Sequence, residues 1–310
     1  MKVLVVVSGN HRQVAPFVTE QAEALQKAGC DVQLFRVEGH GALGYLRNLS
    51  RLKAAIRQFH PNVVHAHYGL CGLLCTLQHR VPVVVTYHGS DINHRNTLRL
   101  SLIAMRRAAH NIFVSKALLE KASQHLKSIT RHSTVLPCGV NLDDFPIVDR
   151  AEARRRLGLQ ADGRYVLFAG AFNNPVKNAP LAQSACALLP DVTLIELKGY
   201  IRSKVALLMN AADALLMTSL SEGSPQVVKE ALAAGLPIVS VDVGDVASLI
   251  EGTDFGAITG RTPEALAAAL TPFLDHPSRT NGRDLIVGKK LYNTTIAQSL
   301  LSIYANHIRK

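Results

Sequence analysis

Unbroken runs of β-branched and apolar residues recur along this chain with helix-patterned stretches between them, and no other feature restricts the fold as strongly. VLVVVS (3–8), DVQLFRV (31–37), VVHAH (63–67), PVVVTYH (82–88), NIFVS (111–115) and TVLPC (134–138) read as strands. Between them, 17–28, 45–59, 98–108 and 117–126 carry helical periodicity. Strands apolar on both faces, alternating with helices, predict a parallel sheet covered on both sides. Pro137, Gly139 and Pro146 then interrupt the pattern, placing a linker near 139–150. The second half repeats the scheme: strands at 165–170, 192–199, 214–219 and 237–242, helices at 178–188, 203–211, 225–234 and 262–274, and a helical tail at 283–308. The expectation is an α/β chain of two tandem Rossmann-like domains. Ligands of such sheets bind beyond the C-terminal strand ends, so the default site is an interdomain cleft.

Composition removes several classes. At 310 residues with 48% apolar side chains, the chain can bury an ordinary core in each of two domains. No apolar run approaches the ~18 residues that would span a bilayer, and the apolar stretch at 3–7 is too short for a secretory segment. Five cysteines, at 30, 71, 75, 138 and 186, form no C-x-x-C pair, which points to reduced thiols in a cytoplasmic protein.

The net charge of +11 is uneven. Residues 1–150 carry 18 basic and 9 acidic side chains, and 51–131 alone carries 12 basic residues against Asp91 and Glu120. One reading is solvated helix faces, since Arg51, Lys53, Arg57, Arg106 and Arg107 fall in amphipathic stretches. The other is a surface for an anionic partner. Nucleic acid is disfavoured, because Trp is absent and aromatics are only 5%, too few for a base-stacking platform.

Gly39-His40-Gly41-Ala42-Leu43-Gly44 fits the dinucleotide fingerprint G-x-G-x-x-G but fails its context. It follows the second strand rather than the first, and no carboxylate lies ~20 residues on, the next after Glu38 being Asp91.

The densest chemistry lies in SLSEGSPQVVKEALAAGLPIVSVDVGD (219–245). Ser224 reads as an N-cap and Pro225 as the first helical residue, which would aim backbone N–H groups at an anion. Glu222 stands beside this helix start and Glu230 lies eight residues on. Two carboxylates near an anion site suit a sugar and a ribose joined through a diphosphate. The alternative is a capping carboxylate and a solvated one, and the residues alone leave both open.

The spacing of Glu222 and Glu230, with Gly-Ser-Pro after the first, resembles family four of the retaining glycosyltransferases, of GT-B fold. VVHAHYGLCG, VVVTYHGSDI, IFVSKAL, VLPCGVNLDDF and LMNAADALLMTSLSEGSPQVVKEALAAGLPIVSVDVGDV resemble that family's blocks in order. The resemblance implies an N-terminal acceptor domain at 1–142, joined by a C-terminal helix at about 291–310, and a donor domain at 143–290. It implies that Glu222 contacts donor-sugar hydroxyls, Glu230 the ribose, and the backbone of Gly223, Ser224 and Pro225 the donor. His88 would sit near the donor sugar and Gly9 near the diphosphate. Lys177, at the family's offset from Gly170, would meet the leaving phosphate. His88, Lys177 and Glu222 are thus the candidate catalytic residues, with His11 and Asp91 on the acceptor side. His65 and His67 read as structural, one buried in its strand and the other near the cleft, and Asp143-Asp144 as a loop or cap pair. The chain departs from the family where Ala171 follows Gly170 and Asn174 comes three positions later, places at which relatives carry Arg.

The implied reaction is metal- and cofactor-independent transfer of a hexosyl unit, with retention, from a nucleoside diphosphate sugar. UDP-sugar is preferred over GDP-mannose. The acceptor would be an anionic glycan or lipid-linked precursor of a surface polysaccharide, met at the inner face of the cell membrane by a cytoplasmic, peripheral protein. A sugar-nucleotide epimerase of the same fold and a catalytically silent nucleotide-sugar binder are the alternatives.

Overall fold

The structure, a computed structural model, describes residues 1–10 and 14–308. It divides into two compact units: Met1–Gly139 with the segment from Asn293 onward, and Val140–Tyr292.

In the first unit the strands are β1 (Lys2–Ser8), β2 (Asp31–Val37), β3 (Val63–His67), β4 (Val83–Tyr87), β5 (His110–Phe113) and β6 (Ser133–Val135). They form one parallel sheet in the order β2-β1-β3-β4-β5-β6. β3 and β4 are buried at every position, as expected of central strands covered on both faces. The C-terminal helix Asn293–His307 returns to this sheet. Its Ile296, Ala297, Leu300 and Tyr304 join Val3, Val5, Val7, Val84 and Ile112 in one apolar core. A helix at Gly69–Cys75, which periodicity did not reveal, packs on the opposite face, where Cys71, Leu74 and Cys75 share a core with Val83 and Val85. Cβ atoms at Gly69 and Gly72 would meet the Ser101 and Val85 side chains at 1.9 and 2.7 Å, so only glycine permits the approach.

In the second unit the strands are β7 (Arg164–Phe168), β8 (Val192–Glu196), β9 (Ala214–Met217), β10 (Ile238–Val241) and β11 (Gly256–Thr259), parallel in the order β11-β10-β9-β7-β8. The helix after the linker, Arg150–Leu157, is tied to this unit by a buried guanidinium: Arg154 Nη2 donates to Asp213 Oδ1 at 2.8 Å and Nε to Ala211 O at 2.9 Å. The expected architecture of two parallel-sheet α/β domains with a returning C-terminal helix is the one observed.

Strand order locates the switch points. In the second unit β8 and β9 lie on opposite sides of β7, so the chain leaves β7 and β9 around a crevice at their C-terminal ends. In the first unit β1 and β3 bound the equivalent place.

Candidate active site

The loops leaving β7 and β9 carry Gly170 and Lys177 on one side and Glu222 on the other. Lys177 Nζ donates to Glu222 Oε1 at 2.7 Å, with side-chain exposures of 21% and 15%. The contact is built from both loops. Thr218 Oγ1 donates to the carbonyls of Lys177 and Asn178, each at 2.9 Å, and Leu220 N donates to Val176 O at 2.8 Å. A Cβ at Gly170 would lie 2.7 Å from Lys177 Cγ, so any larger residue there would displace the lysine. Gly244, with φ +60°, makes room on the far side: its Cβ would lie 3.0 Å from Glu222 Cβ. Ala171 is half-buried in the same turn.

The helix that follows Glu222 spans Gln226–Ala233, and its N-cap is Pro225, not Ser224. The expected Ser224 cap fails because its hydroxyl is used elsewhere. Lys229 Nζ, fully buried, donates to Ser224 Oγ at 3.3 Å. Ser224 also bonds Asp245, whose carboxyl burial pushes above the usual range while Ser224 and Lys229 oppose the rise. The Glu222–Pro225 loop is therefore pinned from beneath by a buried ammonium and a carboxyl. Glu230 projects from the second turn of the helix, nearly buried, and Arg202 Nη1 donates to its Oε1 at 2.6 Å. Arg202 stacks over Phe145, 4.8 Å from the ring centroid, and lines a recess of about 650 Å³ with Arg156, Lys204 and Asp143. Arg202 meets Glu230 only through the fold, since nothing in the local sequence pairs residues 28 positions apart.

In the first unit Gly9 follows the last residue of β1. Its N–H donates to Val37 O at 2.7 Å, and an added Cβ would meet Arg36 Cβ at 2.9 Å, so glycine is needed for packing on β2. His88, just past β4, is wedged between Phe17, His67 and Tyr68, with ring centroids at 4.9, 5.2 and 4.6 Å. His67 Nδ1 and His88 Nε2 lie 3.0 Å apart. Asp91, 4% exposed, accepts backbone N–H groups of His88, Gly89 and Gly69 at 3.1, 2.9 and 3.3 Å. Burial pushes its carboxyl up to about 6, against these hydrogen bonds. It staples the His88 turn from within. His65 and His67 are both buried in β3, and each is held neutral by burial. His11 lies outside the described residues. Asp143 and Asp144 sit in a short 3-10 turn, with Asn141 Oδ1 accepting from the Asp143 N–H at 3.3 Å.

The arrangement offers an ammonium, two partnered carboxylates and a helix start around one switch point. That set can hold a phosphorylated, polyhydroxylated ligand. Among the described residues no group of three or more His, Cys, Asp or Glu is placed to hold a metal ion.

Residues 14–144 match the profile described as Glycosyltransferase Family 4, and residues 159–276 that of Glycosyl transferases group 1. The chain is 31% identical over 242 residues to TuaC of Bacillus subtilis, named as a teichuronic acid biosynthesis glycosyltransferase; the match covers 70% of this chain and 62% of TuaC. It is 26% identical over 314 residues to a D-inositol 3-phosphate glycosyltransferase of Thermobispora bispora, covering 81% of this chain and 72% of that one. The chain thus spans under two thirds of TuaC's length. Among solved structures, sucrose-phosphate synthase of Thermosynechococcus elongatus superposes with a TM-score of 0.84 at 20% identity, over 99% of both chains. Anabaena HepE in complex with UDP-glucose superposes with a TM-score of 0.80 at 18% identity, over 99% of this chain and 100% of that one. At these identities the structural likeness establishes the fold.

Proposed function

The chain belongs to the family-four glycosyltransferases, and from that membership we propose that it transfers a hexosyl unit from a nucleoside diphosphate sugar, with retention and without a metal. The observation that carries this reading is the Lys177–Glu222 pair at the switch point of the second sheet. A cation for the leaving diphosphate and a carboxylate for sugar hydroxyls stand side by side. Fixed positive charge beside a leaving diphosphate stabilises the transition state where its charge develops. Glu230 would take the ribose and Gly170 with Gly223–Pro225 the diphosphate; His88 would contact the donor sugar and Gly9 the diphosphate. UDP-sugar is the preferred donor, supported by the UDP-glucose that the similar HepE structure holds.

The acceptor is proposed to be anionic, a phosphorylated glycan or lipid-linked precursor met at a membrane face. Supporting this, Arg51, Lys53, Arg57, Arg106 and Arg107 all stand exposed on the helices Leu49–Phe59 and Arg95–Arg107 of the acceptor unit. The relatives named for teichuronic acid and inositol phosphate point to the same acceptor chemistry. Among the described residues no helix is long and apolar enough to cross a membrane.

The test is incubation with a panel of UDP- and GDP-sugars in EDTA, reading nucleoside diphosphate release and thermal shift. Release from one donor supports transfer. Donor conversion without an acceptor indicates an epimerase, and a thermal shift without turnover a silent binder. Binding to no donor, or activity that only a divalent metal restores, refutes the proposal. Sedimentation with anionic liposomes should weaken as salt rises, whereas equal binding to neutral vesicles argues against the membrane site.

A further inference from the structure

We propose that His67 is the positioning residue for His88: it donates from Nδ1 to His88 Nε2, fixing the His88 ring as the neutral Nδ1–H tautomer. This rests on the reading that His88 touches the sugar being transferred.

The register of the first sheet makes the contact. His67 on β3 stands opposite Thr86 on β4, so His65, His67, Thr86 and His88 all point to one face of the sheet. On that face the imidazoles form a column, with His65 and His67 at 4.6 Å and His67 and His88 at 5.2 Å between ring centroids. Its inner end is closed by polar partners: Tyr304 Oη lies 2.5 Å from His65 Nδ1, and Thr86 Oγ1 lies 2.7 Å from His65 Nε2.

The direction of the His67–His88 bond follows from the other nitrogen of His67. His67 is 1% exposed, and its Nε2 has no hydrogen-bond partner among the described residues. If His88 donated, His67 would have to carry its own proton on Nε2, a buried N–H with no acceptor. If His67 donates from Nδ1, only a bare lone pair is left at Nε2. An orphaned N–H is the costlier and rarer of the two in protein interiors. A doubly protonated His67 would bury a charge as well, and burial drives its imidazole down to about 3.

With Nε2 of His88 committed as an acceptor, Nδ1 carries its proton and lies 3.9 Å from Cys138 Sγ. Phe17 and Tyr68 clamp the ring faces. Tyr68 does so from a backbone at φ +72°, ψ 150°, a region that side chains other than glycine's rarely occupy. Strain at the residue next to His67 is consistent with a segment shaped to hold His88. His88 is thereby an orienting ring whose Nε2 cannot take a proton without losing His67.

Long-range ¹⁵N–¹H correlation spectra of the ¹⁵N-histidine-labelled protein test this without any substrate. The His88 signals are identified by their loss in His88→Gln. The expected result is a protonated Nδ1 and bare Nε2 at His88, with His67 also protonated at Nδ1. A His88 Nε2–H tautomer in the wild type overturns the proposal, and this holds whether or not transfer is ever observed. His67→Leu should lower kcat between about ten- and a hundredfold with donor KM little changed. His67→Asn, whose amide N–H replaces Nδ1–H, should recover most of that loss. If His67→Asn is no better than a well-folded His67→Leu, the hydrogen bond does not position His88. If His67→Leu fails to fold, the wild-type tautomer decides alone.

Discussion

Lys177 and Glu222, 45 residues apart, meet at 2.7 Å where the loops after β7 and β9 converge. Each is the natural partner of a different part of a sugar nucleotide, the ammonium of its phosphates and the carboxylate of its hydroxyls. In the proposed reaction, donor binding would exchange this contact for two others. The pair is mostly screened from water, so leaving one member alone exposes a poorly solvated charge.

Lys177→Ala and Glu222→Ala should each lower transfer by about one to several powers of ten. Losses in the double variant should be well short of additive, because the first substitution already breaks the pair. Steady-state rates of nucleoside diphosphate release measure both, and wild-type rates in either single variant would remove that residue from the site.

A guanidinium added beside Gly170 should strengthen donor binding. Ala171→Arg places a second cation in the turn that holds Gly170 and is expected to tighten nucleoside diphosphate affinity about tenfold at low salt. Calorimetric titration reads this directly. Unchanged affinity would place the diphosphate elsewhere.

Arg202→Ala removes the partner of Glu230 and a cation–π contact with Phe145. Donor affinity should fall by roughly ten- to a hundredfold, the range of a lost charge-assisted hydrogen bond. The readout is donor Kd beside the thermal midpoint, since a fall in the midpoint alone would make the pair purely structural.

Gly244→Ala forces a side chain onto a φ of +60° and against Glu222. Backbone strain of about 1 to 2 kcal/mol is expected. Because the added methyl presses on Glu222 Cβ, transfer should drop by more than the small loss of folded protein explains. Urea midpoints and rates measured together separate the two effects.

Stability should fall as the pH drops from 6.5 toward 4. Burial holds His65 well below the usual imidazole range, His67 at about 3 and His110 at about 4. Unfolded histidines protonate near 6.5, so across this window the unfolded state binds more protons and gains stability. Asp91 works the other way. Burial raises it from 3.8 to about 6, so the folded state takes that proton first and offsets part of the loss between these values. Urea midpoints at pH 7.5 and 5.0 check the balance, and equal midpoints would mean the histidines accept protons without unfolding.

Much of this was legible in one dimension. Two-sided apolar strands alternating with helices dictated parallel sheets, because only burial on both faces tolerates such runs. The Glu222–Glu230 spacing marked the loop and helix around which the second switch point is built. Several short elements escaped, among them the helices Gly41–Leu46, Ser90–Asn93 and Val246–Ile250. β11 is a four-residue edge strand that alternates exposed and half-buried positions, so it offers no continuous apolar run. The Gly69–Cys75 helix has glycines at two of its seven positions and exists because neighbouring residues fit against them, a tertiary cause. Ser224 fits every local rule for an N-cap, yet Lys229 and Asp245 claim its hydroxyl and the helix begins one residue later.

The sequence by itself determined most strands and the longer helices, their repetition in two halves and the loop at Glu222, since these depend on patterns within a few turns of chain. Only the tertiary structure decided partnership: Lys177 with Glu222, Arg202 with Glu230, and the column from Tyr304 through His65 and His67 to His88. Such pairings follow from strand order and register. A hydrophobic period reports which face of an element is buried, and it carries no information about which strand lies beside it.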